Sequence, residues 1–334
     1  MVPLYKTDNT RTECLLCPHF CKIAEGKTGI CGVRRNIGGK IVLETYGVIS
    51  GFALDPVEKK PLYHFFPGYN ILSVGSYGCN MRCDFCQNYN ISQTIPDRMN
   101  MVTDPAELVK SAVTSEKNIG LAYTYNEPVI WFEYMRDTAA AAKEQGLYTV
   151  MVSNGFVNAD PLQEITEFID AFNIDLKAFN GRFYRELTGA EIEPVKRGLK
   201  QIAKSGKHLE VTTLIIPHQN DDEEEMDEEA RWIAGELGNE IPFHLSRYFP
   251  RYRREDQATS QISLDRLAEI ASRWLKHVYT GNTLSESGQN TKCPECGTMV
   301  TIRSGYKTEL LNLDANGRCT SCGNLIYRYF SPTS

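Results

Sequence analysis

The chain has 334 residues, 42% of them hydrophobic and 23% charged, a globular composition long enough to bury a large core. A formal charge of −6 offers no bulk attraction to nucleic acid or to an anionic membrane, so bulk charge names no partner and nucleic acid is disfavoured. No apolar run approaches the roughly 20 residues that span a bilayer, and the opening Met1-Val-Pro-Leu-Tyr-Lys6 lacks a secretory apolar core, so the expectation is a soluble, cytoplasmic protein.

Eleven cysteines fall into three groups with none left over. In a chain without a secretion signal this argues for metal binding rather than a disulfide scaffold. The first group is Cys14, Cys17, Cys21 and Cys31, within residues 1–50. Four thiolates suit structural zinc or an auxiliary iron–sulfur cluster; spacing does not choose, and zinc is the first reading. His19 is near enough in sequence to compete as a ligand.

A core of alternating strands and helices is expected over residues 51–284. The first strand is predicted at 70–74, and directly after it come Cys79, Cys83 and Cys86, spaced C-x3-C-x2-C with Phe85 before the last. Three thiolates on one tight loop suit three irons of a cubane and leave the fourth iron open. A zinc knuckle would lack its fourth ligand, and a Cys83/Cys86 redox pair would leave Cys79 unexplained.

Further strands are predicted at 119–124, 148–152, 172–176, 210–216 and 242–246, with a weaker one at 277–280. Helices are predicted at 104–116, 129–145, 160–168, 194–205, 224–237 and 264–276, several opened by Asp, Ser or Pro. Such alternation implies parallel strands joined by crossover helices, in a complete or partial barrel with function at the carboxyl ends of the strands. That rule gathers Tyr125-Asn126-Glu127, Ser153-Asn154-Gly155, Asp175 with Lys177, and His244 into one ring. The acidic run 221–229 reads as a solvated helix start. Arg247, Arg251, Arg253 and Arg254 with Tyr248 and Tyr252 suit either an acidic substrate or a solvated loop.

The third group, within residues 285–334, pairs Cys293 and Cys296 with Cys319 and Cys322 across 22 residues. Two CxxC knuckles, each followed by glycine, make a zinc-ribbon pattern for which a rubredoxin-like iron is the rival. In so small a segment the metal supplies much of the folding free energy.

The C-x3-C-x2-C loop resembles the signature of the radical S-adenosylmethionine superfamily. With the Cys14-to-His19 start, Tyr125-Asn126-Glu127-Pro128, Asp175-Leu176-Lys177 and the final knuckles, the chain looks like the AmmeMemoRadiSam-system radical S-adenosylmethionine enzymes, which are similar to pyruvate formate-lyase activating enzymes. The resemblance implies a partial (β/α)6 barrel. It also implies an oxidoreductase that reductively cleaves S-adenosylmethionine at a [4Fe-4S] cluster on Cys79, Cys83 and Cys86, so that a 5′-deoxyadenosyl radical abstracts hydrogen from a substrate. It carries Glu127 and, less directly, Asn126 onto the superfamily's amine-binding position. Ser153 and Asn154 are matched with ribose or carboxylate contacts, Asp175 and Lys177 with the activating enzymes' cofactor site, and His244 with adenine or substrate. As partners it implies a flavodoxin- or ferredoxin-type electron donor and Memo-like and Amme-like proteins. The substrate is either a protein, as for glycyl-radical activating enzymes, or a small molecule or nucleic acid. A non-catalytic electron carrier or scaffold is the competing class.

Overall fold

Runs of aliphatic and β-branched residues bounded by Asn, Asp and Gly lay down one eight-stranded sheet. The computed structural model describes residues 3–7, 11–96, 101–283 and 288–331. The strands are β1 (Gly51–Pro56), β2 (Asn70–Gly75), β3 (Asn118–Tyr123), β4 (Tyr148–Ser153), β5 (Ala171–Asp175), β6 (His208–Ile215), β7 (Phe243–Arg247) and β8 (Val278–Gly281), side by side in that order. β1 runs antiparallel to β2, and every later pairing is parallel. Parallel neighbours need long crossovers. These are α1 (Pro105–Thr114), α2 (Phe132–Glu144), α3 (Ala159–Phe168), α4 (Ile192–Lys204), α5 (Glu223–Glu236) and α6 (Gln261–Ala271). Six β/α units therefore precede the last strand. The sheet is open, with β1 and β8 as its edges.

All seven predicted strands form, the weaker one included as β8. β1 was not predicted, because along this edge Phe52 and Leu54 turn outward, 59% and 40% exposed, and the apolar alternation gives no inward face to read. The caps do what the sequence suggests: Asp104 accepts from Ala106 N ahead of Pro105, and Asp222 accepts from Glu224 N and Glu225 N.

Two small sheets flank the core on the N-terminal side. One is three-stranded (Tyr5–Thr7, Thr12–Cys14, Lys22–Ile23), the other a hairpin (Arg34–Ile37, Lys40–Leu43). On the C-terminal side lies a three-stranded antiparallel sheet of Thr291–Lys292, Met299–Ser304 and Lys307–Leu310. The expected division between 284 and 285 lies outside the described residues. Among the described residues, no helix is long and apolar enough to cross a membrane.

The acidic run is not wholly a solvated face. At helical spacing, Glu225 and Glu229 turn inward beside Met226, Ala230 and Ile233. Glu225 accepts from Phe179 N at 2.8 Å and from Asn180 Nδ2 at 2.6 Å, while the fully buried Glu229 accepts from Thr213 Oγ1 at 2.6 Å. Burial pushes the Glu229 carboxyl up to about 8 from an ordinary 4.5. A carboxyl kept neutral in the fold but ionised in the unfolded chain costs stability as pH climbs from about 4.5 to about 8, and the cost is level above that. Glu229→Gln removes this slope. Its stability relative to the wild type should therefore rise by about 2–4 kcal/mol between pH 5 and pH 8, read by urea unfolding at both. An unchanged difference would contradict the assignment.

Candidate active site

The cysteine loop leaves the sheet where backbone packs on backbone. A Cβ on Gly75, the last residue of β2, would lie 2.7 Å from Thr124 O. Asn126 clamps the loop start, accepting from Ser76 N at 2.9 Å and donating to Gly78 O at 3.0 Å. Farther along, Arg82 N and Asp84 N donate to Thr188 O and Leu187 O, at 2.7 and 3.1 Å.

The arginine-rich segment after β7 braces this same loop. Arg254 pairs with Asp84 at 3.1 Å and Asp256 at 2.6 Å, Arg253 N donates to Asp84 O, and Tyr252 stacks on Tyr89. Arg247 donates to Thr259 O, and Tyr248 is buried. None of the four arginines lines the central cavity. Of the two readings offered for this cluster, Arg251 and Arg253 fit the solvated loop, both being exposed, whereas Arg254 is drawn to the cysteine loop by Asp84, which lies between Cys83 and Cys86.

Cys79, Cys83 and Cys86 share one wall of a cavity of about 610 Å³, within the size range of small-molecule sites. Met81 N donates to Cys79 Sγ at 3.3 Å, Asn154 Nδ2 approaches it at 3.7 Å, and Ser92 Oγ lies 3.1 Å from Cys86 Sγ. Donors to sulfur of this kind tune iron–sulfur centres. Burial pushes the Cys83 thiol up to about 12, with Lys177 opposing. A bound metal would have to displace that proton.

The ring predicted from strand ends, Gly155 excepted, lines the same cavity. Glu127, just beyond β3, is buried: it accepts from Val129 N at 3.0 Å and Ser153 Oγ at 2.7 Å on Oε1, and from Asn154 N at 2.8 Å on Oε2. A carboxylate has about four acceptor positions, so one is left for a ligand. Burial raises its pKa to about 7 against those three bonds. Asn154 donates to Asn80 Oδ1 at 2.9 Å, and Asn80 donates to Phe156 O at 2.8 Å.

Asp175 ends β5 and pairs with Lys177 at 2.8 Å. Burial works against the Lys177 ammonium, yet Asp175 and the neighbouring Cys83 hold it above its ordinary value.

His244 also reaches the cavity, but not from a strand end. β7 runs on to Arg247, which makes His244 its second residue, and the ring meets Glu210 at 2.6 Å near the start of β6. Glu210 accepts further from Tyr63 N, His64 N and His208. Burial opposes ionisation of Glu210, but the two histidines hold its carboxylate well below the usual range.

Several lining groups were not foreseen. Lys60, buried, pairs with Asp55 at 2.8 Å, and Asp55 also accepts from Tyr125 OH at 2.7 Å. Both belong to the unpredicted β1 and its loop. Tyr306 reaches the cavity from the C-terminal sheet, with no local signal to mark it.

In the C-terminal group all four sulfurs lie within 4.8 Å of one another, Cys293 to Cys322 at 3.5 Å and Cys296 to Cys319 at 3.7 Å. Four thiolates at about 2.3 Å from one ion are about 3.8 Å apart, so this is a single-ion site. Gly297 and Gly323, left-handed at φ 73° and 76°, turn each knuckle as their positions after cysteine suggest. The N-terminal four surround a smaller, separate cavity.

The model of the Radical SAM superfamily matches residues 73–230, from β2 into α5. An uncharacterized protein of Methanocaldococcus jannaschii is 38% identical over 325 residues, 96% of this chain and 96% of its own length. The pyruvate formate-lyase 1-activating enzyme of Escherichia coli is 28% identical over 154 residues, 44% of this chain and 61% of that protein. Among solved structures, Streptococcus suis SuiB bound to S-adenosylmethionine matches with a TM-score of 0.50 at 16% identity, over 68% of this chain and 54% of that one, a likeness of fold. The family implies a [4Fe-4S] cluster and S-adenosylmethionine. The chain, with its cysteine loop at the head of the matched segment, belongs to the radical SAM superfamily and is an enzyme homologous to the pyruvate formate-lyase activating enzymes.

Proposed function

We propose that this enzyme binds its [4Fe-4S] cluster on Cys79, Cys83 and Cys86 and cleaves S-adenosylmethionine reductively, and that its substrate is a protein partner, as the name of the Escherichia coli relative suggests. The observation that carries the reading is the gathering of the three thiols with Glu127, Ser153, Asn154 and the Asp175–Lys177 pair around one 610 Å³ cavity. When bound, the cluster and cofactor supply a 5′-deoxyadenosyl radical for hydrogen abstraction. Glu127 offers its remaining acceptor position to the cofactor's amine. Asn126 fixes the loop start, and Asn154 orients Asn80 beside Cys79. Lys177, held by Asp175, presents a cation toward the thiolates and the cofactor carboxylate. His244, bonded to Glu210, lines the same cavity and offers a contact to adenine or to the substrate.

The remaining assignments complete this reading. Zinc is the ion for Cys293, Cys296, Cys319 and Cys322, closing a ribbon over residues 285–334 behind a partial-barrel core at 51–284 and an N-terminal metal segment at 1–50. A flavodoxin- or ferredoxin-type donor supplies the electron, and the motifs shared with the AmmeMemoRadiSam-system enzymes point to Memo-like and Amme-like partners. Eleven unpaired cysteines suit the reducing cytosol.

Anaerobically reconstituted enzyme treated with dithionite should release 5′-deoxyadenosine, and Cys83→Ala should reduce the yield to that of cluster-free protein. Equal yields would refute the assignment of the loop. The Glu127 carboxylate is ionised above about 7 and loses its acceptor character below. Lowering pH from 8 to 6 should therefore weaken S-adenosylmethionine binding about tenfold, measured by anaerobic equilibrium dialysis. Glu127→Gln should bind weakly at both pH values, and a variant retaining the wild-type pH profile would exclude Glu127 from the amine contact.

A further inference from the structure

The two four-cysteine groups are built to different widths. Among the described residues, the C-terminal four are the only group of three or more Cys, His, Asp or Glu side chains whose ligand atoms all fall within 4.8 Å of one another. Cys14, Cys17, Cys21 and Cys31 do not converge on that scale, and neither do Cys79, Cys83 and Cys86. A single tetrahedral ion needs its sulfurs about 3.8 Å apart, whereas thiolates on separate irons of a cluster stand wider. The N-terminal four instead line a cavity of about 20 Å³ together with Leu16, Ile23 and Ile130. That exceeds the roughly 10–15 Å³ needed for one water.

A second observation points at what fills it. Arg34 lines this cavity with its side chain 2% exposed. Its two Nη atoms bond Glu133 at 2.8 and 2.7 Å, and Nη1 also donates to Ile130 O, but buried Nε has no partner. A buried N–H without an acceptor is costly, and such atoms call for an explanation. A cluster sulfur is an acceptor, and the net negative charge of four thiolates suits a neighbouring guanidinium.

We propose that Cys14, Cys17, Cys21 and Cys31 hold an auxiliary iron–sulfur cluster rather than a zinc ion, with Arg34 Nε donating to it. The site lies against the catalytic loop. Left-handed Gly78 leaves no room for a Cβ, which would sit 2.5 Å from Cys31 O. His19 Nε2 bonds Asn80 O at 2.7 Å, and Arg82 Nη2 donates to Ile30 O. Such a cluster takes one electron from a ferredoxin- or flavodoxin-class donor and passes one on toward that loop, with no atom transferred. Phe20 and Ile30, 45% and 44% exposed, leave apolar surface on the same segment.

The test is metal and acid-labile sulfide content of the full chain after anaerobic reconstitution. Wild type should carry about six to eight iron with as many sulfide, for a second cluster of two or four irons, and one zinc. The triple variant Cys79→Ala/Cys83→Ala/Cys86→Ala should lose about four iron and four sulfide, keep the remaining two to four, and show on reduction a paramagnetic cluster signal. A triple variant without iron, together with wild type holding about four iron and two zinc, would overturn the proposal and leave the catalytic-loop assignment intact. Iron retained in full by the triple variant would support the N-terminal site and sink the catalytic-loop assignment instead. Because the wild-type iron-to-zinc ratio needs no variant, misfolding of the triple variant does not protect the idea.

Discussion

Three hydrogen bonds to the buried carboxylate of Glu127 hold the catalytic end of the sheet together. Val129 N, Ser153 Oγ and Asn154 N converge on it from the ends of β3 and β4. Withdrawing a carboxylate from water is tolerable only when its acceptor positions are met in this way. Asn154, pinned through its backbone, then aims its side chain at Asn80 and Cys79. Asn126, the preceding residue, grips Ser76 and Gly78. Two consecutive residues thus set the position of the cysteine loop relative to two neighbouring strands.

The parts legible in the sequence are those governed by local periodicity. Strands, crossover helices, the three cysteine groups and the polar residues at the ends of β3, β4 and β5 follow from short-range pattern. His244 was grouped with the strand ends although the predicted run 242–246 already held it in its interior, and β7, Phe243–Arg247, keeps it there, with Arg247 pairing with Ile215. Glu229 was read as solvated because a string of carboxylates hides which of them faces the sheet. Arg34, Glu210 and Arg303 carry no local mark. Their partners lie far along the chain, Arg34 meeting Glu133, Glu210 meeting His64, and Arg303 meeting Tyr63.

The shared radical SAM segment, residues 73–230, accounts for only part of the cavity wall. Lys60, held by Asp55, and Tyr63 come from before it, and His244, Ser246 and Tyr306 from after it. The Escherichia coli relative aligns with 44% of this chain, whereas the Methanocaldococcus jannaschii relative aligns with 96% and so spans these additions as well. The cavity wall of this enzyme therefore draws on flanking segments as well as on the segment that the superfamily shares.

One of those flanks is keyed into the core. Arg303, fully buried, extends from the C-terminal sheet to donate to Tyr63 O at 2.9 Å and to Gln289 O and Thr291 Oγ1, its guanidinium 4.1 Å from the centre of the Tyr63 ring. Tyr63 in turn lines the cavity and hands its amide to Glu210. An ion bound by the knuckles and a molecule bound in the cavity would therefore be two ligands of one continuous scaffold. By thermodynamic reciprocity, any influence that ion has on cavity occupancy is matched by an equal influence of the occupant on how tightly the ion is kept.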